Sequence, residues 1–164
     1  MKNDRIPPSG LRREQRMKPL RDDSYRADAK MPDPATCPEC HAAYLKGRWT
    51  WREVPAGAAR QTCPACRRIA ERMPAGFLTL SGPFFADHRD EVLGLVTARA
   101  ARAREEHPMQ RLIGVAEVAG GVEVTTTDAI LARTLATAVH KAYKGELDMR
   151  PTGDEKTARA AWSR

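Results

Sequence analysis

Residues 111–126 read Arg-Leu-Ile-Gly-Val-Ala-Glu-Val-Ala-Gly-Gly-Val-Glu-Val-Thr-Thr. Two runs rich in β-branched side chains flank Gly120-Gly121, and paired glycines supply the positive φ that a tight hairpin turn requires. Residues 111–118 and 122–126 are therefore expected to be antiparallel neighbours. The alternation Val122-Glu123-Val124 turns one side of the second strand toward a core. Working upstream, Phe-Leu-Thr-Leu-Ser at residues 77–81 predicts a strand stopped by Gly82-Pro83. A helix is expected over residues 86–106, with Val92, Leu93, Leu95 and Val96 central to its apolar side. His107-Pro108 ends it, because a residue before proline is pushed out of helical geometry. Downstream, Thr127 or Asp128 can cap a second helix whose stripe is Leu131, Leu135, Val139 and Ala142. Lys141 and Lys144 sit in its last turn, Gly145 supplies a left-handed stop, and residues 146–150 form a fourth strand before Pro151.

The order β-α-β-β-α-β is the ferredoxin-like pattern, two helices on one face of a four-stranded antiparallel sheet. It occupies residues 71–151 and is near the small end for an independent core. Residues 152–164 are polar except for Ala158, Ala160, Ala161 and Trp162. This tail is expected to dock Trp162 on the domain or to add an edge strand. Residues 1–36 read as a disordered basic arm, since Pro7, Pro8, Pro19, Pro32 and Pro34 interrupt any helix and no apolar face forms. Residues 37–70 read as a separate metal module. The expected class is α+β, a zinc ribbon followed by a small ferredoxin-like domain.

Composition narrows the function. The 164 residues are 41% apolar and 5% aromatic, so the core is modest and aliphatic, and no apolar run approaches the ~20 residues of a membrane helix. The charged start lacks the apolar stretch of a secretory signal, which points to the cytoplasm. Basic and acidic side chains number 9 and 6 over residues 1–36, 6 and 2 over 37–70, and 13 and 13 over 71–164. The whole excess of +7 therefore lies in the first 70 residues, an asymmetry suited to a polyanion partner.

Cys37-Pro38-Glu39-Cys40 and Cys63-Pro64-Ala65-Cys66 are separated by 22 residues. Two C-x-x-C pairs match the four-cysteine zinc pattern, with a gap slightly longer than its usual span, each pair a tight turn presenting two thiolates to one ion. Iron is the main competing metal. A pair of redox dithiols and two disulfides are the other readings, and a cytoplasmic chain disfavours the disulfides. Four thiolates fill a tetrahedral shell, so Cys37, Cys40, Cys63 and Cys66 predict one structural zinc ion and leave His41 outside it. Between the pairs, residues 44–52 read Tyr-Leu-Lys-Gly-Arg-Trp-Thr-Trp-Arg. Basic groups for phosphates interleaved with flat rings for bases suit single-stranded nucleic acid. The candidate contacts are Lys46, Arg48, Trp49, Trp51, Arg52, Arg60, Arg67 and Arg68. For Trp49 and Trp51 the favoured alternative is packing against the neighbouring domain, a hydrophobic joint in a chain poor in aromatics. No Gly-rich phosphate loop and no nucleophile–histidine pair can be identified, so neither a nucleotide cofactor nor catalysis is expected.

These motifs resemble an uncharacterised bacterial family of small zinc-ribbon proteins. The matching strings are Cys37-Pro-Glu-Cys40, Gly47-Arg-Trp-Thr-Trp51, Cys63-Pro-Ala-Cys-Arg-Arg-Ile69, Pro74-Ala-Gly76, Thr125-Thr-Thr-Asp128, Leu131-Ala-Arg133 and Ala142-Tyr-Lys-Gly-Glu-Leu147, spread over roughly residues 33–164. Some members carry an ATPase label, which the missing phosphate loop does not support. More distantly, the arrangement is similar to the amino-terminal part of the archaeal and eukaryotic adaptor for export of the large ribosomal subunit. That adaptor also places C-x-x-C knuckles before an α/β segment and binds ribosomes. This chain departs from it in having one four-cysteine set and no further domains. The resemblance implies RNA or ribosome contact, not the export role. A protein–protein adaptor using the sheet face is the alternative, and a redox or iron protein a third reading.

Overall fold

The computed structural model describes residues 31–151 and 157–164. The disordered arm expected at the amino terminus lies outside the described residues up to position 30. Among the described residues, two sheets and four helices make a mixed α/β structure. No described helix is long and apolar enough to cross a membrane.

The first sheet is small. It contains β1 (Ala35–Thr36), β2 (Ala43–Leu45), β3 (Arg48–Thr50) and β4 (Ala59–Arg60), in the order β3-β2-β1-β4. β2 and β3 form a hairpin whose Lys46-Gly47 turn takes positive φ at both residues, 50° and 78°. The Asp33 carboxylate accepts both turn N–H groups, at 3.2 and 3.1 Å. β1 pairs antiparallel with β2 and parallel with β4. Ala35 and Thr36 thus belong to this sheet and not to the arm in which composition placed them. Helix α1 (Pro64–Glu71) follows, with proline in its first turn and Arg72 closing it in the left-handed region.

The second sheet has five strands, not the expected four. β5 (Gly76–Ser81) leads into α2 (Pro83–Asp87) and α3 (Arg89–Glu106). The hairpin of β6 (Leu112–Val118) and β7 (Gly121–Thr126) comes next, then α4 (Ala129–Tyr143), β8 (Glu146–Pro151) and β9 (Ala158–Ser163). The order is β6-β7-β5-β9-β8. The hairpin pairs through Val115↔Val124, and Asp128 caps α4 by accepting the Leu131 N–H at 2.8 Å. The tail, expected at an edge if it formed a strand, is instead inserted in the interior. β9 runs parallel to β5 and antiparallel to β8, leaving β8 at the edge. One parallel pair therefore interrupts the antiparallel sheet that was expected. The physical reason is burial, since Ala158, Ala160 and Trp162 alternate inward with Arg159 and Ala161 outward.

The expected helix over residues 86–106 starts earlier and is broken. Pro83 occupies the first helical position, and at His88 the N–H reaches the carbonyls of both Phe84 and Phe85. The core comprises Leu78, Leu80, Phe85, Val92, Val96, Val122, Val124, Leu131, Leu135, Val139 and Trp162, with smaller residues between them. Ala142, placed in the apolar stripe by spacing, is exposed, and Ala132 and Ala136 are buried in its stead.

Gly76 shows how tightly β5 meets α4. A Cβ there would lie 2.2 Å from Thr126 Oγ1, 2.6 Å from Ala132 Cβ and 2.8 Å from the Asp128 carbonyl oxygen. Overpacking of this kind costs about 1–3 kcal/mol. Gly76→Ala is expected to lower the denaturant midpoint with an unchanged m-value; an unchanged midpoint would show that the β5–α4 approach is looser than described.

Candidate metal centre

The two cysteine pairs are built differently. The first is a turn: Cys37 N–H donates to the Ala42 carbonyl and His41 N–H to the Cys37 carbonyl, both at 2.9 Å. His41 takes φ of 64° to complete it and is exposed. The second pair, expected as a matching turn, is the start of α1. Cys63 is the residue capping the helix, its sulfur accepting the Cys66 N–H at 3.3 Å. Proline after Cys63 suits that first helical turn, so the Cys-Pro signature has a conformational cause.

All four Sγ atoms lie within 4.8 Å of one another, and Cys40 and Cys63 are 3.8 Å apart. A tetrahedral shell with zinc–sulfur bonds of ~2.3 Å needs sulfurs about 3.8 Å apart, so the set is close enough to hold a metal ion. The cysteines are free of disulfides. Cys37 and Cys63 are buried, while Cys40 and Cys66 reach the rim. Burial works against ionisation of Cys37, but N–H groups of Cys63, Cys40 and Glu39 outweigh it and bring the thiol down to about 7. Burial pushes Cys63 and Cys66 up, with Arg111 opposing the rise at Cys66.

Arg111 is the residue at this site that sequence reading missed. It precedes β6, is only 7% exposed, and reaches back to the cysteines from the second sheet. Its Nη1 donates to Cys66 Sγ at 3.2 Å and its Nη2 to Cys40 Sγ at 3.1 Å, with Cys63 Sγ at 3.6 Å. Burial disfavours its charge, yet the bonds to Cys66 and Cys40 prevail and hold the guanidinium above its ordinary value. Nothing local marks it, because the contacts span 45 to 71 residues of sequence.

The candidate nucleic-acid contacts divide into several places. Lys46, Arg48 and Arg52 are exposed on or just beyond the β2–β3 hairpin. Arg60 is exposed on β4, at the opposite edge of that sheet from β3. Arg67 and Arg68 lie on α1, where Arg67 pairs with Glu71 at 3.4 Å and Arg68 donates to the Met73 carbonyl at 2.9 Å. The tryptophans separate as well. Trp49 packs on the cysteines with Met109 and is tilted against Tyr44. Trp51 donates its ring N–H to the Arg104 carbonyl at 2.6 Å, with the guanidinium groups of Arg104 and Arg111 at 5.7 and 6.0 Å from its ring. Trp51 stays 38% exposed and touches the following segment at Arg104 and Arg111.

Comparison with protein-family models, with curated proteins and with solved structures finds no match to this chain.

Proposed function

We propose that the chain is a cytoplasmic zinc-ribbon protein that contacts RNA or the ribosome and carries out no catalysis. Cys37, Cys40, Cys63 and Cys66 hold one zinc ion in a closed structural site. The second sheet is a ferredoxin-like core enlarged by β9, in a chain of the bacterial zinc-ribbon type its motifs resemble. The observation that supports this reading is the division of labour around the cysteines. Four thiols close together leave no coordination position for a reacting water. Lys46, Arg48 and Arg52 extend from the adjoining hairpin, and among the described residues none of them is in an ion pair.

Replacing Arg48 and Arg52 together with alanine tests it. Each lost phosphate contact on a single strand removes about 0.7 from the slope of log affinity against log salt. The double variant is expected to bind RNA more weakly, with a slope shallower by about 1.4 and unchanged zinc content. An unchanged slope would remove these arginines from the interface. Sedimentation of lysate through sucrose at low and high salt then locates the partner. Comigration with a ribosomal peak that is lost at high salt supports ribosomal RNA contact.

A protein adaptor is the second reading, favoured by the sheet face opposite the helices. Phe77, Thr79, Thr125 and Ala161 lie there, with Arg159 stacked on the Phe77 ring at 4.0 Å. Salt-insensitive association without RNA would favour this face. Bound iron with a visible chromophore would favour the redox reading.

A further inference from the structure

Arg111 joins two parts of the molecule that sequence reading treated as separate. Its guanidinium fork bridges sulfurs of both cysteine pairs, so it fits only when the pairs are drawn together. Its other end is fixed to the α/β domain. Nε donates to the Pro108 carbonyl at 2.8 Å, the Arg111 N–H donates to Thr127 Oγ1 at 2.9 Å, and that hydroxyl donates to the Met109 carbonyl at 2.6 Å. Among the described residues no carboxylate lies within 4 Å of it. A buried cation without a counter-charge is costly, and here the groups set against it are the cysteine sulfurs, the Pro108 carbonyl and the Trp51 ring.

We propose that Arg111 is an outer-sphere clamp of the metal centre, through which metal occupancy and the docking of the cysteine module on the α/β domain become one coupled equilibrium. A divalent ion with four thiolates carries a net charge of −2, and Arg111 offsets half of it inside the seam. Such outer partners orient ligands and tune metal affinity. When the ion leaves, the four sulfurs are no longer held around one centre, and the fork loses the fixed spacing of its acceptors. Among the described residues, Met109 on the cysteines and Trp51 against Arg104 also join the two parts. Linkage makes the coupling reciprocal: the factor by which the ion tightens the seam is the factor by which the docked seam tightens metal binding. The metal thereby sets how the Lys46–Arg52 hairpin is presented relative to the second sheet. The inference rests on the metal reading above and is independent of RNA binding.

The test uses the full chain, zinc competition against a colorimetric chelator, and hydrogen exchange over residues 104–112. Arg111→Ala is expected to weaken zinc binding 10- to 100-fold and to raise exchange at 104–112 even at saturating zinc. Arg111→Lys, which keeps the charge and loses the fork, is expected to fall between. If Arg111→Ala does not fold, Trp51→Phe replaces it. Residue 51 is not a ligand, yet losing its bond to Arg104 is expected to lower zinc affinity several-fold. Zinc affinity within twofold of the parent in these variants, or exchange at 104–112 indifferent to zinc, overturns the clamp and leaves the metal site standing. Absence of zinc and cobalt binding by the parent chain overturns both.

Discussion

Trp162→Ala is expected to lower the melting temperature of the α/β domain by about 15 °C or more. The ring is fully buried on β9, which lies between β5 and β8. Its Nε1 donates to the Lys144 carbonyl at 2.5 Å, and Phe84 and Tyr143 flank it with ring centroids 6.4 Å away. Truncating a buried tryptophan costs about 3–5 kcal/mol through lost transfer energy and an unfilled cavity. A domain of this size has roughly 5–15 kcal/mol in total and shifts by about 4–8 °C per kcal/mol. The truncation also leaves the Lys144 carbonyl without its donor. Ala161→Ser, one residue away on the opposite face, provides the control and is expected to stay within about 0.5 kcal/mol. Scanning calorimetry of both variants decides the matter. A fall below about 4 °C for Trp162→Ala would return the strand to the periphery of the sheet.

What the sequence disclosed and what it withheld follow from how local each signal was. The β6–β7 hairpin was legible because its turn glycines and alternating valines lie within one short stretch. The four cysteines were legible because metal chemistry tolerates few spacings. The strand β9 was harder, though its inward Ala158, Ala160 and Trp162 do alternate. Alanine has weak strand propensity, and its partner β5 lies about 80 residues away in a parallel pairing that no local pattern encodes. Pro64 was read as part of a metal knuckle, yet it also starts α1. Arg111 reads in sequence as the first residue of the strand over 111–118, which in the structure starts at Leu112. Its contacts are with sulfurs that only the tertiary fold brings near.

Cys63→Ser is expected to abolish stoichiometric zinc binding and to unfold the cysteine module while the α/β domain continues to melt cooperatively. Serine is an effective helix cap, so the substitution preserves the acceptor for the Cys66 N–H at the start of α1 and removes only the metal ligand. The effect is therefore assignable to the ion and not to the helix. The module has little else to hold it. Its strands have two or three residues each, and its fully buried side chains are Ala35, Ala42, Ala43, Cys37 and Cys63, with Ala65 almost so. Side chains this small cannot offset the entropy of ordering some three dozen residues at about 1–2 kcal/mol each for the backbone alone. A structural zinc site contributes an apparent binding energy of about 10–16 kcal/mol, which changes that balance. Excess chelator on the parent chain is expected to reproduce the variant. In both cases the Gln61 N–H, which donates to the Thr36 carbonyl at 2.9 Å, loses its protection from exchange, and Trp49 emission shifts to the red as the ring leaves the cysteines. Protection across β5, β7 and β9 persists, because their pairing and core do not involve the cysteines. A module that stays protected after elemental analysis shows it free of metal would mean that its fold does not depend on the ion.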